Sequence, residues 1–405
     1  MSDTAHPLPH ATTFGGSGDP HMWAVTRAVR DWWDAHGRPG RLCVALSGGA
    51  DSLALTASAI RTGAQVTALI VDHQLQEGST QVAHHAAEQA RQLGCADALV
   101  IPIIITDEEG VGMEAAAREA RYAALDMLRA GQPVLLGHTQ DDQAETLLLG
   151  LVRGSGPRAI AGMLPWEEPW GRPLLGLRRA DTRAACAEHD IDVWDDPQNS
   201  DPAFTRVRVR HELLPLLRDI SGGDVVPGLA RTAQLVREDT LQLDTQAAAL
   251  LNSILAGLPS TEQCGESEAA SSPVAQHEGV PGVERHAVPD CELSAVPDCE
   301  LTAMPVSELR ELSDPTLRRV LRLWLHRNGQ TQVGYLHLTE VARLLTDWHG
   351  QGPITLPGGA TVQRHNNALS IQTPVDRDHC CGHVHPTHSP HPSHSVRPSH
   401  PDAHF

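Results

Sequence analysis

The sequence contains no lysine, so all 31 side chains carrying a fixed positive charge are arginines. Against them stand 50 acidic residues, for a formal net charge of −19. A chain so short of positive charge does not coat nucleic acid non-specifically, because that binding is driven by neutralising phosphates with a basic surface. A nucleic-acid substrate met by locally placed arginines stays open. The acid is itself uneven: between Glu262 and Glu308 glutamates and aspartates greatly outnumber arginines.

Cysteine is present without pattern. The eight cysteines include no CxxC pair and no paired zinc spacing. Cys43, Cys95 and Cys186 therefore read as buried or incidental thiols. No stretch approaches the roughly 20 apolar residues needed to span a bilayer. The first residues lack a basic start followed by an apolar run, the mark of a secretory signal. These absences predict a cytoplasmic protein with no membrane contact.

What the chain does have is alternation. Residues 1–20 lack apolar periodicity and read as a loose tail, and His21–His36 reads as a helix with Trp23, Val25, Val29 and Trp33 near one side. Strands at Leu42–Leu46, Gln65–Val71, Ala98–Ile105 and Pro133–Leu136 then alternate with helices at Asp51–Arg61, Thr80–Leu93, Met113–Ala130 and Asp141–Arg153. Short continuous apolar strands separated by helices predict an α/β fold, a doubly wound parallel sheet covered on both faces.

Beyond residue 221 the strand signal fades. Val225–Ala256, Leu309–His326 and Leu336–Asp347 read as helices and Ile354–Gln372 as a β-hairpin. The expected organisation is a catalytic domain over 21–221 and a second, mainly helical domain over 222–375. Two low-complexity segments interrupt it. Residues 259–308 carry an imperfect repeat, AVPDCELS, AVPDCELT, AMPVSELR, within a flexible acidic insertion, and 376–405 form a His/Pro-rich tail.

Three strand ends carry the chemistry. SGGADS, Ser47–Ser52, follows the first strand and opens the next helix. Helix N-termini present unpaired N–H groups and a positive dipole end, and Gly48 and Gly49 let an anion reach the backbone. Ser47 and Ser52 add hydroxyl donors, and Asp51 could hold a magnesium ion bridging phosphates. The spacing and the missing lysine exclude a Walker loop.

The second strand ends in IVDHQL, which leaves Asp72 and His73 at its carboxyl tip, where open α/β sheets bind ligands. The fourth leads into GHTQDDQAET, with His138 just beyond the strand and Asp142 and Glu145 three apart on the first helical turn. Those carboxylates share a face. Acids in a first turn also cap the helix, and a paired face suits a cationic ligand; both readings stand at this point.

Together these pieces resemble the PP-loop ATP pyrophosphatase superfamily and, within it, the tRNA(Ile)-lysidine synthases. The likeness covers about residues 38–220 through SGGADS, VDHQL, AAREARYAAL, GHTQDDQAETLLLGLVRGSGPRAIAGM, RPLLGLRR and DDPQNSDPAFTRVRVRHELLPLL, and residues 309–372 more weakly. The resemblance implies an adenine nucleotide alpha hydrolase-like fold and an ATP-dependent ligase. ATP activates cytidine 34 in the CAU anticodon of tRNA(Ile) at its C2 oxygen, and the amine of free L-lysine then displaces AMP to leave lysidine.

It further implies Ser47, Gly48, Gly49, Ala50, Asp51, Ser52, Asp72 and His73 as ATP-binding, with Mg2+ on Asp51. Asp51, Asp142, Glu145 and Arg118 become catalytic, Arg118 neutralising the α-phosphate. Asp142, Glu145 and His138 become the lysine site. Arg206, Arg208 and Arg210 are aimed at phosphate or RNA, on one side if that stretch is extended and spread if it is helical. Val207 and Gln76 depart from the family's usual asparagine and arginine. Dimers are common in the family, though no heptad or exposed stripe marks a homodimer here.

Two rivals are weighed. A tRNA sulfur transferase of the same superfamily would need the CxxC pairs this chain lacks. A non-enzymatic nucleotide- or metal-binding module would put the tail to work, since His379, Cys380, Cys381, His383 and His385 could bind zinc or nickel.

Overall fold

The computed structural model describes residues 19–74, 78–103, 113–154, 156–257 and 302–373. Most of the tails, Gln76, and the first two copies of the repeat up to residue 301 lie outside the described residues. The chain divides into two compact units, 1–246 and 247–405. The division falls inside a long helix, where the fading strand signal had placed it at 221/222.

In the first unit, α1 (Pro20–Ala35) precedes β1 (Arg41–Ala45), α2 (Ala50–Ile60), β2 (Gln65–Asp72), α3 (Ser79–Leu93) and β3 (Asp97–Pro102). Then follow α4 (Met113–Leu128), β4 (Val134–Leu135), α5 (Gln140–Arg153), α6 (Pro157–Ile160), β5 (Trp166–Glu167) and β6 (Trp170–Gly171). Helices α7 (Arg179–Glu188), α8 (Thr205–Arg208), a π-helical turn over Val209–Leu213, α9 (Leu214–Ser221) and α10 (Val226–Ala256) complete the run.

The strand order is β3-β2-β1-β4-β6-β5, parallel except for the last pair. Side chains alternate across each strand, so Leu42 and Val44 pack with α1, α2 and α7 residues while Cys43 packs with Leu125 of α4 on the other face. Both faces are buried, which is why these strands read as continuous apolar runs. The chain runs outward from β1 through β2 to β3 and returns to β4 on β1's other side. β1 and β4 therefore flank the switch point of the sheet, the place where open α/β sheets bind ligands beyond the strands' carboxyl ends.

Two points differ from the sequence reading of this unit. In α1 the buried face is Met22, Val25, Val29 and Trp32, while Trp23 is exposed. Spacings of three and four select that set and leave Trp23 one position off the stripe. The paired β5 and β6 were not anticipated, since two-residue strands carry no periodic signal. Gly171 of β6 sits where a Cβ would come 2.6 Å from the Trp32 ring, so a side chain is excluded there.

The second unit contains β7 (Ala303–Pro305), α11 (Val306–Arg310), α12 (Asp314–Arg327), α13 (Tyr335–Thr346), β8 (Ile354–Thr355), β9 (Thr361–His365) and β10 (Ala368–Gln372). Its sheet runs β7-β10-β9-β8, all antiparallel. The helix expected over 309–326 is broken near Ser313, because Pro315 opens α12 at its first turn. The third copy of the repeat is ordered here. It forms β7 and α11, with Met304, Val306 and Leu309 buried in the core.

Candidate active site

The loop after β1 is shaped by glycine. Gly48 has φ of +82°, a conformation side chains disfavour, and Gly49 caps α2 in an extended conformation. The serines close the loop on itself. The Ser47 N–H donates to Ser52 Oγ at 3.2 Å, and Ser52 Oγ donates to the Gly49 carbonyl at 2.9 Å. Trp194, exposed, donates its backbone N–H to the Gly48 carbonyl at 3.0 Å, which places an aromatic residue beside the loop.

The loops after β1 and β4 touch. A Cβ on Gly137 would lie 3.0 Å from the Asp51 backbone carbon, so glycine there lets the second loop seat against the first. Asp51 opens α2, and its Oδ2 lies 3.6 Å from Arg179 Nε. Burial pushes its carboxyl up to about 6, against the pull of the Thr182 hydroxyl and Arg179, with Asp142 adding to the rise.

Asp142 and Glu145 lie across from it on α5. Asp142 Oδ2 accepts the Thr139 N–H at 2.8 Å and the Thr139 hydroxyl at 2.7 Å, a capping arrangement, while Oδ1 accepts from Arg179 at 2.8 Å. Burial alone would raise its carboxyl, but Arg179, Arg206 and the Thr139 N–H bring it down to about 2. Glu145 is fully buried and meets three guanidinium groups: Arg179 at 3.3 Å, Arg206 at 2.9 Å and Arg210 at 2.8 Å. Both acids are thus already paired by arginine.

The arginine stretch is helical, and its members spread. Arg206 and Arg210, one turn apart, face Glu145. Arg208 points elsewhere, to Glu212 at 2.9 Å, and is exposed. Arg210 lies in the π-helical turn. Val207 is buried.

At the tip of β2, Asp72 is tied to its own turn. Its oxygens accept from Thr80 Oγ1 at 2.7 Å and the Gln74 N–H at 3.1 Å. Burial pushes the carboxyl up, and these bonds outweigh it, so it ionises below its ordinary range. His73 and His138 each keep a buried Nδ1 with no partner among the described residues. Burial depresses both, His138 to about 3, so both imidazoles are neutral at physiological pH. Arg118 is exposed and stacks over Tyr122 at 4.9 Å, which packs edge-on against Trp170.

The structure therefore brings Asp51, Asp142, Glu145, Arg206 and Arg210 into one network and leaves Arg208 out of it. Sequence reasoning missed the residue that joins them. Arg179 touches Asp51, Asp142 and Glu145, and its neighbour Arg178 holds Asp141 through two bonds of 3.0 Å. It also missed Thr182, whose hydroxyl donates to Asp51, and Arg172, buried and donating to the Leu164 carbonyl at 3.0 Å. The doubled arginine in RPLLGLRR was the available signal.

Among the described residues no group of three or more His, Cys, Asp or Glu side chains is arranged to hold a metal ion. A lone aspartate at a helix start, such as Asp51 at the start of α2, fits magnesium, which takes one or two carboxylates and completes its shell with water and substrate phosphates.

A glycine loop, a helix start and an arginine–carboxylate network at a sheet switch point are the features of a PP-loop unit, and the PP-loop domain family matches residues 25–217. The TilS substrate binding domain family matches residues 304–370. The chain is 45% identical over 358 residues to the tRNA(Ile)-lysidine synthase of Rhodococcus opacus, covering 87% of this chain and 96% of that protein. To that of Rhodococcus erythropolis it is 47% identical, covering 85% and 92%, and to that of Mycobacterium tuberculosis 46%, covering 80% and 86%. The chain belongs to the tRNA(Ile)-lysidine synthase family.

Proposed function

We propose that this protein is an ATP-dependent ligase that joins free lysine to C2 of cytidine 34 in the CAU anticodon of tRNA(Ile). The observation that carries the reading is Arg179, which links the aspartate that opens α2 to both acids of α5 within one ion-pair network. Two half-reactions need such coupling: one builds an adenylated cytidine and releases pyrophosphate, the other lets an amine displace AMP.

In the first step the amides and hydroxyls at Ser47–Ser52 grip the polyphosphate and Asp51 takes the magnesium. When bound, that ion neutralises phosphate charge. Arg118 lies free of any carboxylate bond among the described residues, which suits it to the α-phosphate. In the second step the lysine amine is recognised at the Asp142–Glu145 face, where the incoming cation takes a place that Arg210 fills in the present structure. His138, neutral and with an unpartnered Nδ1, offers the amine a hydrogen-bond acceptor. Arg208 meets tRNA phosphate from its exposed position, and residues 304–370 dock the same tRNA. No helix among the described residues is long and apolar enough to cross a membrane.

The test incubates purified protein with ATP, labelled lysine and an unmodified isoleucine tRNA bearing CAU. ATP-dependent incorporation, lost in Asp51→Ala and Glu145→Ala, is expected. Incorporation that survives both substitutions refutes the site; no incorporation by the unaltered protein refutes the function.

A further inference from the structure

Helix α7 presents one face to the start of α2. Arg179, Thr182 and Cys186 fall at spacings of three and four, and each reaches the phosphate loop's helix: Arg179 and Thr182 at the Asp51 carboxylate, Cys186 at the Ala50 carbonyl, 3.4 Å away. Thr182 has no exposed surface, so its hydroxyl cannot turn to solvent. It has one proton to give and lies within bonding distance of two acceptor oxygens, Asp51 Oδ1 and the Arg179 carbonyl at 2.9 Å.

That doubling matters. A buried hydroxyl whose acceptor is taken away normally costs the full penalty of an unmade hydrogen bond. Thr182 escapes it by rotating from one acceptor to the other. We propose that Thr182 is a positioning residue for Asp51: its hydroxyl holds Oδ1 and keeps the other carboxylate oxygen aimed at an incoming divalent cation, falling back on the Arg179 carbonyl only when the carboxylate turns away. The inference rests on the reading of Asp51 as the magnesium ligand. It assigns the preparation of that ligand to a residue 131 positions away in the chain. Outer-shell partners that hold a ligating carboxylate tune metal affinity in this way.

The test uses the full chain, magnesium chloride and α,β-methylene-ATP, which binds without being cleaved between its first two phosphates. Equilibrium binding of the analogue is measured over a magnesium series, with thermal melting alongside. Thr182→Val keeps the shape and removes the donor; it is expected to raise the magnesium needed for half-maximal binding about 10-fold. Thr182→Ser keeps the donor and should stay within about 3-fold of the unaltered protein on the same scale. If the valine variant melts too early to measure, Thr182→Ala replaces it in the comparison with serine.

A valine (or alanine) variant with unshifted magnesium dependence overturns the proposal, as does a serine variant shifted equally far. Asp51→Asn separates the layers. If it too is unshifted, the metal assignment itself is wrong; if it is shifted while Thr182→Val is not, only the role of Thr182 falls.

Discussion

The two units bury different things. Among the described residues, every buried polar or charged side chain lies before residue 247, Glu145, Asp142, Arg172 and Thr182 among them. The second unit buries Trp324, Leu309, Leu321, Leu325, Val341 and Leu344 around an antiparallel sheet. A buried ion pair costs desolvation that its Coulomb attraction only roughly repays, whereas apolar burial stabilises outright. The first unit thus carries a pre-arranged charge network at some expense in stability, while the second is organised for packing.

The largest test of that contrast removes the centre of the network. Glu145→Ala leaves three guanidinium groups to share Asp142, with Asp51 in reach of Arg179 only, and should cost about 3–5 kcal/mol in chemical denaturation. Lysine incorporation should fall by roughly 100-fold or more, since the displaced arginines no longer hold the site in register. A variant as stable and active as the parent would mean the cluster is ornamental.

A comparable loss in the second unit should have a different consequence. Trp324→Ala opens a cavity worth about 3–5 kcal/mol, read by urea titration. Nucleotide binding should persist while tRNA binding weakens. Loss of nucleotide binding as well would show that the units do not divide the labour as their interiors suggest.

The pH response sharpens the same contrast. His138 stays neutral in the fold down to about 3 but takes a proton near 6.5 once unfolded. As pH falls from 6.5 towards 3, the unfolded state gains a proton the folded state refuses, so stability drops, by about 1.4 kcal/mol per pH unit at most. Asp51 acts oppositely between about 6 and 3.8, because its raised folded value favours the protonated fold there. His138→Asn should flatten the acid side of a denaturation-versus-pH curve. An unchanged curve would place the acid sensitivity elsewhere.

The smallest effect is expected at the surface. Arg208→Ala should leave the melting temperature unaltered, since an exposed helical pair contributes little. It should reduce the slope of tRNA affinity against salt by about 1. An unaltered slope would make Arg208 no more than the partner of Glu212.

Much of this was legible because it is local. The phosphate loop announces itself through Gly48 and Gly49 next to an apolar strand, and the shared face of Asp142 and Glu145 follows from their spacing on one helix. The arginine stretch was half legible: its charge was plain, but whether Arg206, Arg208 and Arg210 act together depended on conformation, and the helix sends Arg208 away from Glu145. The third copy of the repeat looked like its neighbours, yet Val306 stands where the other copies have aspartate. An apolar side chain at that position can enter a core, and this one does.

By itself the sequence determined the alternation of strands and helices, the glycine loop after the first strand and the family, because each is written in neighbouring residues. Tertiary structure alone decided that Arg179 would join three carboxylates and that Thr182 would lean on Asp51, 131 residues distant. Pairing at that range depends on how α7 packs across α2 and α5, and no periodicity within either segment encodes it.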